Sequence, residues 1–307
     1  MAKILVFNDT TRYRHYGCDL VMNSLHRNLR ERGHRSQSVH WVGTGVSKRF
    51  DAIVRAHRDA DAIVVNGEGV IHHDRKHALE LANLAGRAKD AGLPAHLVNA
   101  ALFENSPALY RALSRYDSVF VRDGESRAAA RSHGIEAHEV PDLSFDAVAH
   151  LGLAPVPRSG LLVTDHVDPG ATRRLREVAQ TLGGRWRPLM RGPVIPHAWV
   201  RLLGARRFLR DVARSEWVLS GRFHAVTLCI ATRTPFLAIS SNTRKIEALL
   251  LDVFGNADRL LPAIPDAEAL RARRATIPFT PQEHEALDAY LRTGTVRTRA
   301  MFDRLLD

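Results

Sequence analysis

Residues 217–224 carry side chains suited to bind an anion and act on it. The segment reads, in order, Trp217, Val218, Leu219, Ser220, Gly221, Arg222, Phe223 and His224. Its apolar start predicts a strand, and the residues after the Ser-Gly pair predict the first turn of a helix. The helix dipole makes cations unfavourable there, so Arg222 and His224 conflict with local stability. A bound anion would resolve the conflict, and we expect Ser220, Arg222, Phe223 and His224 to line a site. A structural histidine with a capping role is the alternative.

A second arginine, Arg122, is the last residue of another predicted strand, residues 118–122. A guanidinium at the point where a strand passes into a helix can clamp a carboxylate or phosphate through paired hydrogen bonds. We therefore expect Arg122 and Ser126 to contact a substrate anion. The alternative is that Asp123 caps the helix and pairs with Arg122.

Two loops near the N-terminus supply further polar groups. Asp9 follows the first predicted strand, and His15 lies in the same loop. After the third predicted strand, Glu68 stands between Gly67 and Gly69, a pattern typical of a turn in which a ligand approaches the backbone. We expect all five residues to face a substrate. The alternative for the first loop is an ordinary polar connection in which Asp9 acts as a helix cap.

These candidate residues lie at the ends of short apolar runs that alternate with longer amphipathic stretches. The pattern is typical of βαβ units with parallel sheets, which bind ligands at the carboxyl ends of their strands. The strands that we predict are residues 4–7, 38–42, 62–65, 95–99, 118–122, 160–164, 186–190, 217–220 and 235–239. The helices that we predict are residues 18–32, 48–57, 77–91, 107–114, 125–133, 171–181, 198–213, 223–231, 243–253 and 281–306.

A segment with two prolines, Pro155 and Pro157, separates the two series of elements. We therefore predict an α/β protein with two Rossmann-like domains, residues 1–148 and 149–307, whose parallel sheets face a central cleft. The candidate anion site at Arg222 falls in the second domain, and the loops with Asp9 and Glu68 fall in the first.

The composition agrees with a folded protein and with an expected cytoplasmic location. Of the 307 residues, 45% are hydrophobic and 25% are charged, which excludes a mainly disordered chain. The N-terminal apolar run is too short for the core of a signal peptide, and no apolar run is long enough to cross a membrane. Cys18 and Cys229 lie far apart and form no metal-binding pair, which favours reduced thiols.

The formal charge of +11 raises the question of an acidic partner, since a basic field attracts phosphates, nucleic acids and acidic membranes. Arginine carries nearly all of this charge, and a GC-rich genome alone produces such usage. We expect no nucleic acid partner, because the chain has no basic tail and no aromatic-interleaved RNA motif. Residues 201–214 interleave arginines with apolar residues. This pattern suits either a helix lying on a membrane surface or an ordinary helix with one buried face.

With these motifs the chain resembles the polysaccharide pyruvyl transferase family. The resemblance extends over roughly residues 8–253 and rests on Arg122 with Ser126, Pro141 with Asp142, Arg222-Phe223-His224, the Pro-led strand at 235–239, and Lys245 at the start of the next helix. It implies a glycosyltransferase-B-like architecture. It also implies transfer of a pyruvyl group from phosphoenolpyruvate to two hydroxyls of a sugar, as a ketal, in a polysaccharide or glycolipid precursor.

The resemblance further implies roles for the candidate residues. Arg122 and Arg222 would clamp the donor anions, with added charge from Lys245. His224 would act as an acid or as a second phosphate contact, and Glu68 or Asp9 would act as the base.

The same reading sets the expected partners. Phosphoenolpyruvate is a substrate, so we expect no cofactor and no metal ion, because arginines can supply the positive charge. The acceptor would be a glycan, with a lipid-linked glycan at the inner face of the membrane as one form. Two alternatives stay open: a nucleotide-sugar glycosyltransferase of the same fold, and a non-catalytic protein that binds acidic glycans or membrane surfaces.

Overall fold

A computed structural model describes residues 1–39, 45–69, 71–190, 192 and 197–305. The chain divides into two compact units. Unit 1 comprises Met1–Arg12, Ser24–Leu143 and Val296–Asp307, and unit 2 comprises Tyr13–Asn23 and Ser144–Thr295. The predicted boundary at 148/149 stays a prediction. The grouping adds one feature to it: each unit takes in a segment from the far part of the sequence.

Unit 1 contains a six-stranded parallel sheet with the order β2-β1-β3-β4-β5-β6. Its strands are β1 (Lys3–Phe7), β2 (Arg35–Ser38), β3 (Ala62–Asn66), β4 (Ala95–Ala100), β5 (Ser118–Val121) and β6 (Ala137–Glu139). The helices that follow these strands are α1 (Tyr16–Glu31), α2 (Val46–Ala56), α3 (Lys76–Asp90), α4 (Pro107–Leu113) and α5 (Gly124–Ser132). A short 3-10 helix, Thr10–Tyr13, precedes α1, and the N-terminal part of α1 belongs to unit 2.

The central strands of this sheet are buried because helices cover both of its faces. All five residues of β3 are buried, and β1 pairs with it in parallel from Ile4↔Ala62 to Phe7↔Val65. One core cluster takes Leu5 and Phe7 from β1 and packs them against α2 and α3. The intervening residues of β1, Ile4 and Val6, are equally buried. Strands of this kind form continuous apolar runs, which is why they were visible in the sequence.

Unit 2 contains a five-stranded parallel sheet with the order β11-β10-β9-β7-β8. After α6 (Leu143–Leu151), its strands are β7 (Leu161–His166), β8 (Arg185–Trp186), β9 (Trp217–Gly221), β10 (Phe236–Ile239) and β11 (Leu260–Leu261). Its helices are α7 (Pro169–Thr181), α8 (Ala198–Ala213), α9 (Phe223–Ala231), α10 (Lys245–Phe254), α11 (Ala267–Ala272) and α12 (Pro281–Arg304), with a 3-10 helix at Arg274–Thr276. The last part of α12, from Val296 onward, belongs to unit 1.

Alternation along the strands of unit 2 builds one core on each face of the sheet. Leu162 and Val218 point to the cluster that also holds Phe208 and Leu209 of α8. Their neighbours Val163 and Leu219 point to the opposite cluster. A period of two is what places successive side chains on opposite faces of a strand. Strands β7 and β9 are neighbours in this sheet and end side by side, where His166 pairs with Gly221.

Most predicted elements are confirmed, and two helices, Ala198–Ala213 and Phe223–Ala231, match to the residue. The predicted position of the second strand was wrong. The strand lies at Arg35–Ser38, and residues 40–42 of the predicted range are outside the described residues. This edge strand is polar, so its pattern was not recognisable. The predicted strand 186–190 shortens to Arg185–Trp186, because Pro188 cannot donate to a ladder.

Some elements were missed by the sequence reading. Helix α6 spans the predicted domain boundary at 148/149 and buries Phe145 and Val148 in the core of unit 2. Strands β6 and β11 have three and two residues, too few to show a periodicity. In the described part of the chain, no helix is both long and apolar enough to pass through a lipid bilayer.

Burial of His96 links the stability of unit 1 to pH. His96 lies on β4, is 7% exposed, and its Nδ1 forms a 2.8 Å hydrogen bond with Ser118 Oγ. Burial lowers the pKa of His96 below its ordinary value of 6.5, and the nearby Asp117 opposes this shift with a smaller effect. The unfolded chain therefore takes up this proton at a higher pH than the folded one. The resulting contribution to stability is present above about pH 6.5 and is lost as the pH falls through the lowered pKa.

We expect the free energy of unfolding to fall as the pH is lowered from about 7 to about 5, and we expect His96→Gln to reduce that slope. Urea unfolding at a series of pH values measures it. The control is His150→Gln, at an exposed histidine of α6. An unchanged slope in His96→Gln would contradict the assignment.

Candidate functional site

The carboxyl ends of β7 and β9 bring Arg222 and Asp165 together. Arg222 is the residue before α9, and its Nε and Nη2 donate to Asp165 Oδ2 at 2.8 and 2.5 Å. The other oxygen, Asp165 Oδ1, accepts from the backbone N–H of Leu189 at 2.6 Å. The Arg222 side chain is 17% exposed and that of Asp165 is 6% exposed. The carboxylate therefore holds the guanidinium in one orientation at the edge of the sheet.

Ser220 fixes the turn that carries this arginine. Its Oγ accepts from the backbone N–H of Arg222 at 3.0 Å and lies 2.6 Å from Thr164 Oγ1 on the adjacent strand. Ser220 was predicted to contact a substrate. Its hydroxyl contacts Thr164 and the Arg222 backbone, so the role that these contacts support is to shape the turn.

His224 and His15 lie together, although 209 positions separate them in sequence. Their ring centroids are 5.0 Å apart with an edge-to-face geometry. His15 reaches unit 2 because residues 13–23 belong to it: His15 pairs with Met190, and Tyr16 N–H donates to Leu189 O at 3.3 Å. The sequence reading placed His15 on the first domain, and the structure groups it with the second.

Gly17 is what allows this close approach. A Cβ atom on Gly17 would lie 2.2 Å from Cγ of His224, well inside van der Waals contact. His15 Nδ1 accepts from the Gly17 backbone N–H at 3.2 Å, which leaves Nε2 of His15 as the nitrogen that carries the proton. Residues 15–17 thus position both imidazoles, and the glycine after His15 is a signal that sequence reasoning could have used.

His166 supports the same edge of the sheet from below Gly221. Its Nδ1 accepts from Asp168 N–H at 2.9 Å and its Nε2 donates to Ser240 O at 2.9 Å, so both ring nitrogens are used. A Cβ on Gly221 would lie 2.0 Å from Cδ2 of His166. This histidine is a packing residue that locks the turn between β9 and α9.

Phe223 and Lys245 occupy different environments. Phe223 is 6% exposed, belongs to the core of unit 2 and packs beside His224, and its predicted contact with a substrate stays a prediction. Lys245 begins α10 and is half-buried. Its predicted role in an anion clamp stays a prediction.

In unit 1, Arg122 forms a buried ion pair. Its Nη1 donates to Asp142 Oδ2 at 3.1 Å, and the two side chains are 2% and 1% exposed. Asp123 caps α5 by accepting from Ser126 N–H at 2.7 Å, as the alternative reading expected, but the partner of Arg122 is Asp142. The guanidinium is thus held inside unit 1, and its predicted role in binding a donor anion stays a prediction.

The remaining candidates of unit 1 lie at the ends of β1 and β3. Thr10 Oγ1 donates to Glu68 Oε2 at 2.5 Å, and Glu68 is 4% exposed. Asp9 Oδ1 accepts from both the N–H and the hydroxyl of Thr11, at 2.9 and 2.7 Å. These contacts match the capping alternative for Asp9. A role as base for either carboxylate stays a prediction.

Three further candidates have contacts that explain their residue types without a ligand. A Cβ on Gly67 would lie 2.6 Å from Cβ of Ala100 on β4, so the glycine is required by the packing of two strands. Gly69 has a φ of +69°, which favours glycine in this turn. Ser126 Oγ accepts from Leu102 N–H at 2.9 Å.

The described residues contain no group of three or more His, Cys, Asp or Glu side chains arranged to hold a metal ion. A guanidinium in fixed orientation recognises a carboxylate or phosphate, and two imidazoles beside it can exchange a proton. Asp165 was missed by sequence reasoning, although a polar pair, Asp165-His166, at the end of an apolar strand was a visible signal.

The chain is similar to known proteins both in its sequence pattern and in its fold. A family model described as polysaccharide pyruvyl transferase matches residues 7–243. Staphylococcus aureus MnaA with UDP has a TM-score of 0.60 at 14% identity, covering 98% of this chain and 95% of that one. The UDP-GlcNAc 2-epimerase of Methanocaldococcus jannaschii, in complex with UDP-GlcNAc and UDP, has a TM-score of 0.56 at 13% identity, covering 96% and 99%. No curated protein matches by sequence.

At such low identities, likeness to solved structures shows the fold alone. The neighbours confirm the expected α/β fold of the glycosyltransferase-B-like kind, with two parallel sheets. The expected cleft between the domains stays a prediction.

The contact between Gly221 and His166 predicts a specific coupling. We expect Gly221→Ala to lower the free energy of unfolding by about 1–3 kcal/mol, because the added methyl group overpacks the turn. In a His166→Ala background the ring is absent, and the same substitution should cost much less. A double-mutant cycle by chemical denaturation measures this coupling. An equal cost in both backgrounds would show that the ring does not limit the space at Gly221.

Proposed function

Since the chain belongs to the polysaccharide pyruvyl transferase family, we propose that it transfers the pyruvyl group of phosphoenolpyruvate to two hydroxyls of a sugar, as a ketal. The donor is a small trianion, and its recognition needs oriented cations. The observation that carries the proposal is the fixed guanidinium of Arg222, held by Asp165 at the edge of the sheet beside the His15–His224 pair.

Arg222 is suited to hold the donor because only part of its hydrogen-bonding capacity is used. A guanidinium has five N–H donors, and those given to Asp165 come from Nε and Nη2. Within the described residues, Nη1 has no acceptor in the protein, so this edge can bind a carboxylate or phosphate oxygen. The Asp165 carboxylate lowers the net charge of the pair. It also removes the entropy cost of orienting a long side chain when the anion binds.

The N-terminus of α9 adds a second source of positive potential. Arg222 immediately precedes the helix, and the first N–H groups of a helix point outward from its start. The dipole of α9 would favour an anion at the same end of β9 as the guanidinium. The Asp165 carboxylate already compensates the Arg222 guanidinium at this helix start.

The imidazoles are suited to move the protons that the reaction requires. Protonation of the methylene carbon of phosphoenolpyruvate leaves an electron-poor carbon that a sugar hydroxyl attacks, and that hydroxyl gives up its proton. Loss of phosphate then allows the second hydroxyl to attack and close the ketal. We assign the protonation to His224, whose ring is positioned by Gly17 and His15. Arg222 would stabilise the phosphate as it leaves.

The proposal requires no metal ion, because Arg222 supplies positive charge where other phosphate enzymes use magnesium. The base that deprotonates the sugar hydroxyls would be Glu68 or Asp9. Both carboxylates already accept hydrogen bonds within unit 1, Glu68 from Thr10 and Asp9 from Thr11. Arg122 stays a predicted contact of the donor.

We expect phosphoenolpyruvate to raise the melting temperature of the protein, and we expect this rise only when Arg222 is present. A ligand at about 100 times its Kd stabilises a protein by about 2.7 kcal/mol, enough for thermal-shift detection. Arg222→Met should abolish the shift. The matched control Arg274→Met removes an exposed arginine of the same unit and should retain it. Stabilisation by UDP and not by phosphoenolpyruvate would favour the nucleotide-sugar alternative and overturn the proposal.

Replacement of His224 by Gln is expected to lower kcat by about 100- to 10,000-fold with a smaller effect on KM, because proton transfer fails while binding persists. Release of phosphate from phosphoenolpyruvate in the presence of sugar acceptors measures this. Asp165→Asn should act mainly on KM for the donor, because it loosens Arg222. Full activity of His224→Gln would remove this residue from the mechanism.

A further inference from the structure

Helix α8 carries a stripe of solvent-facing residues that mixes apolar and cationic side chains. We call it the α8 stripe, and its residues are Trp199, Leu203, Arg207 and Arg210, with Arg214 at the C-cap of the helix. They recur at spacings of three and four, which places them on one side of the helix. Trp199 is 66% exposed and Leu203 is 44% exposed, two of the large apolar residues that unit 2 leaves in water.

The opposite side of α8 is fully used by the core of unit 2. Ala205, Phe208, Leu209 and Val212 are each 0% exposed and pack in the cluster beneath the sheet. The helix is therefore already docked, and the core does not account for the apolar residues of the α8 stripe. An exposed Trp and Leu one turn apart on such a helix indicate a further surface that they contact.

The charges of the α8 stripe are not neutralised by the fold. Elsewhere on the helix, Arg201 pairs with Asp19, and Asp211 pairs with Arg185 and Arg187. Among the residues that the structure describes, the three arginines of the stripe form no ion pair. The one carboxylate of α8 thus lies off the stripe, which keeps its positive charge and complements a surface of negative charge.

We propose that the α8 stripe docks this protein on the surface of an anionic lipid bilayer. Trp199 would lie at the level of the headgroups and Leu203 at the boundary of the acyl chains, as in helices that lie in the plane of a membrane interface. The arginines would bind lipid phosphates. A lipid surface fits better than a soluble polyanion, because a polyanion gives no reward for burying Trp199 and Leu203.

Contacts within unit 2 connect the buried side of α8, opposite the α8 stripe, to the candidate active site. The ring of Tyr16 stacks on Phe208 of α8 with centroids 5.2 Å apart, and Asp19 pairs with Arg201 at 3.4 Å. Between them lies Gly17, which packs against His224. A bilayer bound by α8 would therefore lie near the residues that position the imidazoles. If the proposed function holds, this favours a lipid-linked glycan as the acceptor.

Vesicle sedimentation tests the proposal with the full chain. Vesicles of phosphatidylcholine with phosphatidylglycerol should pellet the protein, and vesicles of phosphatidylcholine alone should not. Arg207→Gln/Arg210→Gln and Trp199→Ser/Leu203→Ser should each weaken binding by about tenfold or more, on the basis of the contribution of each arginine near an anionic surface. The matched control, Arg173→Gln/Arg176→Gln, removes the same charge from exposed positions on α7 and should bind as wild type does.

A second readout separates insertion from attraction by charge. Lipids brominated in their acyl chains should quench the fluorescence of Trp199, and Trp199→Phe should lose that quenching. The proposal would be overturned if all variants bound the vesicles equally, or if the α7 control lost as much binding as the α8 variants. It would also be overturned if the protein bound the vesicles without quenching and bound RNA or a polyuronate with equal affinity. Turnover of phosphoenolpyruvate with a water-soluble acceptor should be unchanged in the α8 variants, so failure of membrane docking is distinguishable from failure of the proposed function.

Discussion

The ion pair between Asp165 and Arg222 is the interaction on which the candidate site of unit 2 depends. It joins the ends of two neighbouring strands and ties the start of α9 to the loop that carries Leu189. A buried pair of this kind adds little net stability, because desolvation of both charges offsets their attraction. The pair instead fixes the orientation of the Arg222 guanidinium, which cannot rotate away from Asp165. The helical turn that carries His224 begins directly after Arg222.

Glycine at two positions lets the histidines of this site pack closely. Gly221 admits the ring of His166 beneath the turn, and Gly17 admits the ring of His224. A single methyl group added at either glycine would overlap the histidine ring and block the contact. The geometry of the site thus depends on absent side chains as much as on the charged ones.

The sequence predicted the fold well and the site in part, for physical reasons. Buried parallel strands and amphipathic helices leave a periodic record, so α8 and α9 were found to the residue, whereas the polar edge strand β2 left none. Arg222 and His224 were singled out because cations at a helix start break a local rule, and their role in binding an anion stays a prediction. Their partner Asp165 and the pairing of Arg122 with Asp142 were not, because contacts between residues 57 and 20 positions apart have no local signature. The contact between His15 and His224 was not found for the same reason.

The grouping of residues 13–23 with the second unit has a consequence for engineering. A fragment that starts at the apparent domain junction would keep Asp165, Arg222 and His224 but would lack the short N-terminal stretch that supplies His15 and Gly17. Chimeras assembled from two homologues by one crossover would combine a ring from one parent with the glycine from the other. Any exchange that keeps the imidazole pair intact has to transfer the first helical turn of the chain along with its second half.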